Sequence, residues 1–407
     1  MRILFLSNLF PPNQIGGYEV LCARVAALFA ERGHDVHVLT SSYGGKIARA
    51  PDMKVSQGLR LLCGETIYHP FVKGEVRQRV ITGDNEIVTR KVIQRIRPDF
   101  IFSWNLYGLS KDYFRFLEAS GVPTVCMLTD NWLAAMMAPD FTRDYFEYKI
   151  YNDNKSTDAA AARVTQHLNC SAIFGARYMQ SFYEAAGLAF EDATVIHNGV
   201  DLSAQLSRVR LPRRDFVNGN AGPVKLLFAG RLVKLKGVHT AIEALGWFSQ
   251  GHSQKMALTI VGDGADTAYM ASLRHLAVRL GVAEQITLVP PLPEAALPDL
   301  FDAHDIFLFP SLYEPFSLTL IHALASGIPT VASSTGGNVE IVNDGRTGFL
   351  FSAGEAKELA AAVQRLSEDA GLREQVSVAG REAASQFTIT RMIEQIEGYL
   401  IRRGLVK

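Results

Sequence analysis

Cysteine is scarce in this chain: Cys22, Cys63, Cys126 and Cys170 are the only four in 407 residues. No two form a C-x-x-C pair, so neither a zinc site nor a disulfide framework has the spacing it needs. The plain expectation is four small buried thiols. An excess of charge of one sign is also missing. Lys plus Arg and Asp plus Glu both number 41, which leaves a net charge of zero. The chain as a whole therefore exerts no electrostatic pull on nucleic acid. Long apolar runs are absent too. The longest, such as Asp305-Ile-Phe-Leu-Phe-Pro310, are strand length, whereas a membrane-spanning helix needs about 20 apolar residues. The opening Met1-Arg-Ile-Leu-Phe-Leu-Ser-Asn8 is interrupted by polar residues, runs into Pro11-Pro12 and lacks a small-residue cleavage site. It reads as a buried strand of a cytoplasmic protein rather than a signal peptide. No D-x-D pair is placed to bridge a metal and a diphosphate, and no short repeat or low-complexity segment stands out.

What is present is an ordinary globular composition, 48% hydrophobic and 20% charged, too apolar for disorder. At about 150 residues per domain the length suggests two or three domains. Strands are expected near Ile3–Ser7, Val36–Thr40, Phe100–Trp104, Thr124–Leu128, His167–Cys170 and Thr194–His197. Amphipathic stretches such as Gly17–Arg32, Asn85–Arg97 and Ala176–Ala186 lie between several of them. The pattern restarts with strands near Lys225–Ala229, Leu258–Val261, Ile286–Val289, Ile306–Phe309, Thr330–Ala332 and Gly348–Phe351. Strands separated by helices of this length make βαβ units and parallel sheets. The turn-rich stretch Ser207–Pro223 is the natural linker. The expected organisation is α/β, with two facing Rossmann-like, doubly wound domains over residues 1–206 and 207–387 and a ligand cleft between them. A last amphipathic helix in 388–407, with Met392, Ile393, Ile396 and Leu400 at helical spacing, packs back on the first domain.

Three clusters carry chemistry. After the first strand, Gly16-Gly17 precedes a helix; the bare amides of such a turn attract anions, although a glycine pair is as often only a turn. The second domain opens with Ala229-Gly230-Arg231 and then Lys236-Gly237. Cations beside a helix N-terminus do not serve the helix dipole, so a bound phosphate would explain Arg231 and Lys236; solvated loop cations are the plainer alternative. The third cluster is Pro310-Ser311-Leu312-Tyr313-Glu314, with a helix expected from about Phe316. The amides of Phe316, Ser317 and Leu318 are free to hold an anion or sugar hydroxyls. Glu314 either accepts from further hydroxyls or merely complements the helix dipole. Asp263-Gly264 and Asp266 suggest a loop rather than a metal site, and no metal is expected. His34 and His37 flank a strand as packing or surface residues.

In this order these segments resemble the family 4 glycosyltransferases of GT-B fold, together with His197-Asn198-Gly199-Val200-Asp201, Val261-Gly262-Asp263-Gly264 and Gly336-Gly337…Glu340. The resemblance spans nearly the whole chain. It implies a retaining transfer of a sugar from a nucleotide-sugar donor, without metal or other cofactor, to a glycan, lipid-linked or small-molecule acceptor. It places the donor mainly on the second domain and the acceptor mainly on the first. Arg231 and Lys236 match the residues that hold the donor diphosphate, Gly16 and Gly17 the loop that closes over it. Glu314 matches the first acid of an E-x7-E motif contacting the donor sugar, and Phe316–Leu318 the backbone gripping sugar and phosphate. The chain departs from the family at two points. His322 stands where the second acid usually binds the ribose. Thr129, followed by Asp130, stands where a histidine usually lines the acceptor side. Two other classes remain in view: a nucleotide-sugar epimerase of the same fold, and an inactive nucleotide-sugar binder. The basic stretch Lys73–Arg97 could touch an anionic membrane, though its composition fits a solvated helix face better.

Overall fold

Near-continuous apolar runs such as Phe100-Ile-Phe-Ser103 and Ile306-Phe-Leu-Phe309 are buried at every residue, the pattern of strands covered on both faces in a parallel sheet. The computed structural model describes residues 1–47, 53–63, 72, 74–147, 165–208, 222–249, 255–264 and 266–405. In chain order the elements are β1 (Arg2–Leu6), α1 (Gly17–Glu31), β2 (Asp35–Ser41), β3 (Lys54–Leu59), α2 (Glu75–Ile96), β4 (Phe100–Ser103), α3 (Lys111–Glu118), β5 (Thr124–Leu128), α4 (Trp132–Met137), α5 (Pro139–Asp144), β6 (Gln166–Phe174), α6 (Arg177–Ala185) and β7 (Leu188–Val195). They continue with α7 (Ser203–Leu206), β8 (Val224–Ala229), α8 (Val238–Ser249), β9 (Met256–Val261), α9 (Thr267–Arg279), β10 (Ile286–Val289), α10 (Leu297–Asp302), β11 (Ile306–Phe309), α11 (Leu318–Ala325), β12 (Thr330–Ser333), α12 (Asn338–Ile341), β13 (Phe349–Phe351), α13 (Ala356–Glu368), α14 (Ala370–Ala384) and α15 (Ile389–Arg402).

The chain divides into two units. Unit 1 is Met1–Asn198 with Ile389–Lys407, and unit 2 is Gly199–Thr388. Each holds one all-parallel sheet. The order is β3-β2-β1-β4-β5-β6-β7 in unit 1 and β10-β9-β8-β11-β12-β13 in unit 2. Both orders reverse once, between β1 and β4 and between β8 and β11. Such a switch point opens a crevice beyond the carboxyl ends of the strands. The chain leaves unit 1 at Asn198 rather than at 206, because the next residues are tied to unit 2. Val200 donates its amide to Phe387 O at 2.9 Å, Arg381 donates to Leu206 O at 2.7 Å, and Arg208 pairs with Asp299 at 2.5 Å. Most of the expected linker, 209–221, lies outside the described residues. The closing helix α15 belongs to unit 1, where Ile389, Met392, Ile393, Ile396, Tyr399 and Leu400 are buried in the core with Val25 and Phe29 of α1.

Several elements differ from expectation. β3 was not foreseen, α2 begins at Glu75 rather than Asn85, and β7 covers Leu188–Val195 where a strand was expected over Thr194–His197. Of the thiols, Cys22, Cys126 and Cys170 are buried and Cys63 is half-buried; all four are free. The basic stretch forms α2, with Lys73 outside the described residues. Arg79 of α2 pairs with Glu75, Asp84 with Arg60, and Arg90 lies 5.1 Å above the Phe116 ring. Among the described residues no helix is long and apolar enough to cross a membrane.

Candidate active site

In unit 2 the switch point gathers the second and third sequence clusters. β8 ends at Ala229, and the loop after it carries exposed Arg231 and half-buried Lys236. Arg231 makes no ion pair among the described residues. Gly237, with φ +65°, turns this loop into α8, and a Cβ there would lie 1.9 Å from Pro310 O. Only glycine lets the backbone pass this close with that φ. The contact, with the Leu312 amide donating to Leu235 O at 2.8 Å, docks the β8–α8 loop against the segment after β11. As a result Lys236 Nζ sits 2.5 Å from Glu314 Oε2, and Ser311 Oγ lies 3.4 Å from the same oxygen. Lys236 is also 5.7 Å above the Phe309 ring. Glu314 is held from behind by its own carbonyl, which accepts the Gly337 amide at 2.9 Å.

The helix after Glu314 starts two residues later than expected. Ser317 is its N-cap, with Oγ accepting the Leu320 amide at 3.1 Å, and α11 runs from Leu318. The Leu318 and Thr319 amides have no acceptor among the described residues. They are the orphan donors of a helix start, at the positive end of its dipole. Phe316 is not part of the helix; its ring packs on Phe387 at 5.6 Å. Arg231, Lys236, Glu314 and the start of α11 thus converge on one carboxyl edge.

His322 lies one turn into α11 and is 3% exposed. Its Nδ1 is 2.9 Å from Gln205 Nε2 and its Nε2 3.3 Å from Glu294 Oε1. Both nitrogens are engaged inside unit 2. The ring expected to face the donor ribose thus has a protein group beside each of its nitrogens. The cause is tertiary: Gln205 and Glu294 come from α7 and from the turn after β10, neither near His322 in sequence.

In unit 1, Gly16 is the N-cap of α1 and Gly17 its first residue, and the Gly16 amide is not bare. Glu19, 2% exposed, folds back so that Oε2 accepts the Gly16 amide at 3.0 Å and the Ile15 amide at 3.2 Å. Glu19 thus closes the N-cap amide in the manner of a capping box. Tyr18, between the glycines and Glu19, ties the loop to the end of β5. Its hydroxyl donates to Met127 O, accepts from Trp132 Nε1 at 3.2 Å and hydrogen-bonds the Thr129 side chain. Burial first, then the Asp130 charge, push the Tyr18 phenol well above its ordinary pKa. Thr129 is buried. Asp130 caps the next turn, with Oδ1 accepting the Trp132 amide at 2.9 Å and its carbonyl accepting from Tyr183 at 3.0 Å. The structure brings Gly16, Gly17, Thr129 and Asp130 together through Tyr18, a residue sequence reasoning passed over.

In the loop after β9 the Asp263 main-chain carbonyl accepts the Leu232 amide at 3.1 Å, and the Asp266 side chain caps α9 through the Tyr269 amide at 2.9 Å. Among the described residues no three His, Cys, Asp or Glu side chains converge to hold a metal ion.

Known proteins share this architecture and its sequence signals. A family model described as glycosyl transferases group 1 matches residues 213–383, and one described as Glycosyltransferase Family 4 matches residues 15–204. Glycogen synthase of Mycobacterium tuberculosis H37Rv is 27% identical over 396 residues, covering 94% of this chain and 90% of that protein. D-inositol 3-phosphate glycosyltransferase of Stackebrandtia nassauensis is 24% identical over 404 residues, covering 94% and 86%. Among solved structures, sucrose-phosphate synthase from Thermosynechococcus elongatus superposes with a TM-score of 0.75 at 20% identity, covering 99% and 98% of the two chains. Anabaena HepE, solved with UDP and glucose, gives 0.68 at 21%, covering 99% and 100%. The two family models divide the chain between them, one spanning β2 to β7 of the first sheet and the other all of the second, and the protein belongs to the family 4, group 1 glycosyltransferases of GT-B fold.

Proposed function

We propose that the protein transfers a sugar, with retention of anomeric configuration and without a metal, from a nucleoside-diphosphate sugar to an acceptor hydroxyl. The observation that carries this reading is the convergence in unit 2 of Arg231, Lys236, Glu314 and the open amides at the start of α11. That set suits a diphosphate leaving group attached to a polyol. The relatives' names support it: glycogen synthase and D-inositol 3-phosphate glycosyltransferase are transferases, and HepE was solved with UDP-glucose as well as UDP.

As the anomeric carbon–oxygen bond to the β-phosphate breaks, negative charge grows on the phosphate and positive charge on the sugar. Arg231, Lys236 and the α11 dipole stabilise the first. Lys236 is held by Glu314 before the donor arrives; a diphosphate takes over the ammonium and leaves the carboxylate to accept from sugar hydroxyls. The acceptor oxygen forms its new bond on the face the phosphate leaves, and its proton passes to the departing phosphate oxygen. No protein nucleophile is assigned. Cations and helix amides supply the positive charge that a divalent ion supplies elsewhere, so no cofactor is invoked. Acceptor recognition is assigned to unit 1, to Thr129 and Asp130, and the acceptor is a glycan, a lipid-linked sugar or a small polyol.

The test is incubation with a panel of nucleotide sugars, with and without candidate acceptors and with EDTA. Nucleoside diphosphate release that depends on acceptor, survives EDTA and yields a product of unchanged anomeric configuration is expected. A rearranged sugar released without acceptor would make the protein an epimerase. Binding without turnover across the panel would make it an inactive binder.

A further inference from the structure

We infer that the outer face of α2 is a docking surface for an anionic lipid bilayer. The inference uses no residue of the site above and stands apart from the sugar-transfer reading. On its inner side α2 is fastened to unit 1 largely through polar groups. Asn85 exchanges hydrogen bonds of 2.8 and 2.9 Å with the Arg60 backbone, Thr89 meets the Tyr113 hydroxyl at 2.7 Å, and Thr82 donates to Ser110 Oγ at 2.9 Å. Ile81, Val92 and Ile96 are buried beside them. The outer side carries Val76, Val80 and Ile87, which are 76%, 56% and 55% exposed. A helix at a protein surface ordinarily turns such residues inward.

By ordinary α-helix geometry these three side chains fall within about 40° of one another around α2 and form a line about 16 Å long. Gly83 stands on the same line between Val80 and Ile87 and leaves it unobstructed. Single exposed apolar residues are common and need no explanation. Three β-branched ones in register are different. Water returns no burial energy for them, and their branching lowers helix propensity. They call for an apolar partner.

Charge identifies that partner. The same geometry sets Arg79 and Arg90 along one side of the line and Arg77, Lys91 and Arg95 along the other. From Glu75 to Arg97 there are six cations and three acids. Glu75 is paired with Arg79 and Asp84 with Arg60, and Glu86 is half-buried. Arg77, Lys91 and Arg95 are exposed and make no ion pair among the described residues. A solvated helix face accounts for the cations but not for the apolar line between them. A bilayer interface accounts for both: the valines and isoleucine enter at the acyl boundary, while the long basic side chains reach sideways to lipid phosphates. The competing partner, an acidic protein, takes up a helix by enclosing it in a groove. α2 is fastened along its inner side and offers one flank only. Three apolar side chains and three unpaired cations make this docking weak and reversible.

Co-sedimentation of the full-length protein with vesicles tests the assignment. One set is phosphatidylcholine alone, the other phosphatidylcholine with about one third phosphatidylglycerol. The protein should bind the mixed vesicles, leave the neutral ones and come off as salt rises. Lys91→Gln should lower the partition coefficient about fivefold, the effect of about one cation at an anionic surface. The triple variant Val76→Ser/Val80→Ser/Ile87→Ser should lower it by roughly tenfold or more, with an unchanged melting temperature. Should that variant melt low, Ile87→Ser alone carries the same decision, with a severalfold loss expected. No binding to the mixed vesicles, or binding that survives loss of the apolar line, would overturn the inference. Light scattering without lipid covers a second copy: a dimer that the serine variant dissolves would give it this face instead. Retention on immobilised poly-glutamate without vesicle binding would give the face to an acidic protein.

Discussion

Lys236 and Glu314 form an ion pair at 2.5 Å across a sequence separation of 78, with side chains only 17% and 7% exposed. A pair this far from solvent is held together as much by the cost of separating it as by its attraction. Removing one member strands the other charge, which typically destabilises by about 3–5 kcal/mol. Lys236→Met should therefore lower the free energy of unfolding by roughly 3 kcal/mol in urea titrations. The double variant Lys236→Met/Glu314→Gln should recover much of the loss while remaining inactive. Additive losses in the double variant would show that the two side chains do not act as a pair.

Arg231 presents the opposite case, an exposed cation with no ion-pair partner among the described residues. Its substitution should spare the fold and damage turnover. Arg231→Ala is expected to melt within a degree or so of wild type while the barrier rises by about 2.7–4 kcal/mol, the usual worth of one donor to developing charge. Steady-state kinetics beside a thermal melt decide it. A kcat near that of wild type removes the phosphate role.

Gly237 is the joint on which the Lys236–Glu314 contact depends. Gly237→Ala meets both a positive φ and the Pro310 carbonyl at 1.9 Å, whereas Gly281, at φ +69°, has nothing within 4 Å of an added Cβ. Gly281→Ala should cost about 1 kcal/mol of backbone strain. Gly237→Ala should cost clearly more and abolish activity, because the loop carrying Lys236 has to lift off Pro310. Equal melting temperatures for the two variants would refute the close approach.

Much of this architecture is legible in the residues. The alternation of buried strands and helices fixes two parallel sheets, and Arg231, Lys236 and Glu314 fall at one edge because they follow β8 and β11. Local signals failed where tertiary contacts decide. β3 escaped notice because its residues are mostly half-exposed and carry no apolar run. The early start of α2 was missed because its first turns, from Glu75 to Val80, are mostly exposed, Val76 and Val80 included, and bury no hydrophobic stripe. Ser317 could have been read as an N-cap from its type alone. The engagement of His322 by Gln205 and Glu294 could not, since it joins residues 117 and 28 positions apart.

His239 gives unit 2 a pH dependence. It stands in the first turn of α8, with Nδ1 2.8 Å from the Tyr269 hydroxyl, and burial first, then Lys234, hold its pKa below the ordinary value. The unfolded chain therefore takes up this proton more readily than the folded one. The stability gained by keeping the ring neutral is complete above about pH 6.5 and drains away as pH falls through the lowered folded value. Between pH 7.5 and 5, His239→Gln should lose less of its melting temperature than wild type does. His34 and His37, also lowered by burial, contribute equally to both curves. Parallel curves would show that His239 is as easily protonated in the fold as outside it.

The return of α15 to unit 1 bears on the order in which a ribosome can finish this protein. Domains usually fold in the sequence in which they emerge. Here the strands of unit 1 are made first, yet Met392, Ile393, Ile396 and Leu400, which fill the space beside α1, are translated only after every residue of unit 2. Unit 2 can close while unit 1 still waits with an open seam along α1. A nascent chain stalled after Thr388 would carry a finished unit 2 sheet and an unfinished unit 1, with Val25 and Phe29 uncovered for chaperones to find.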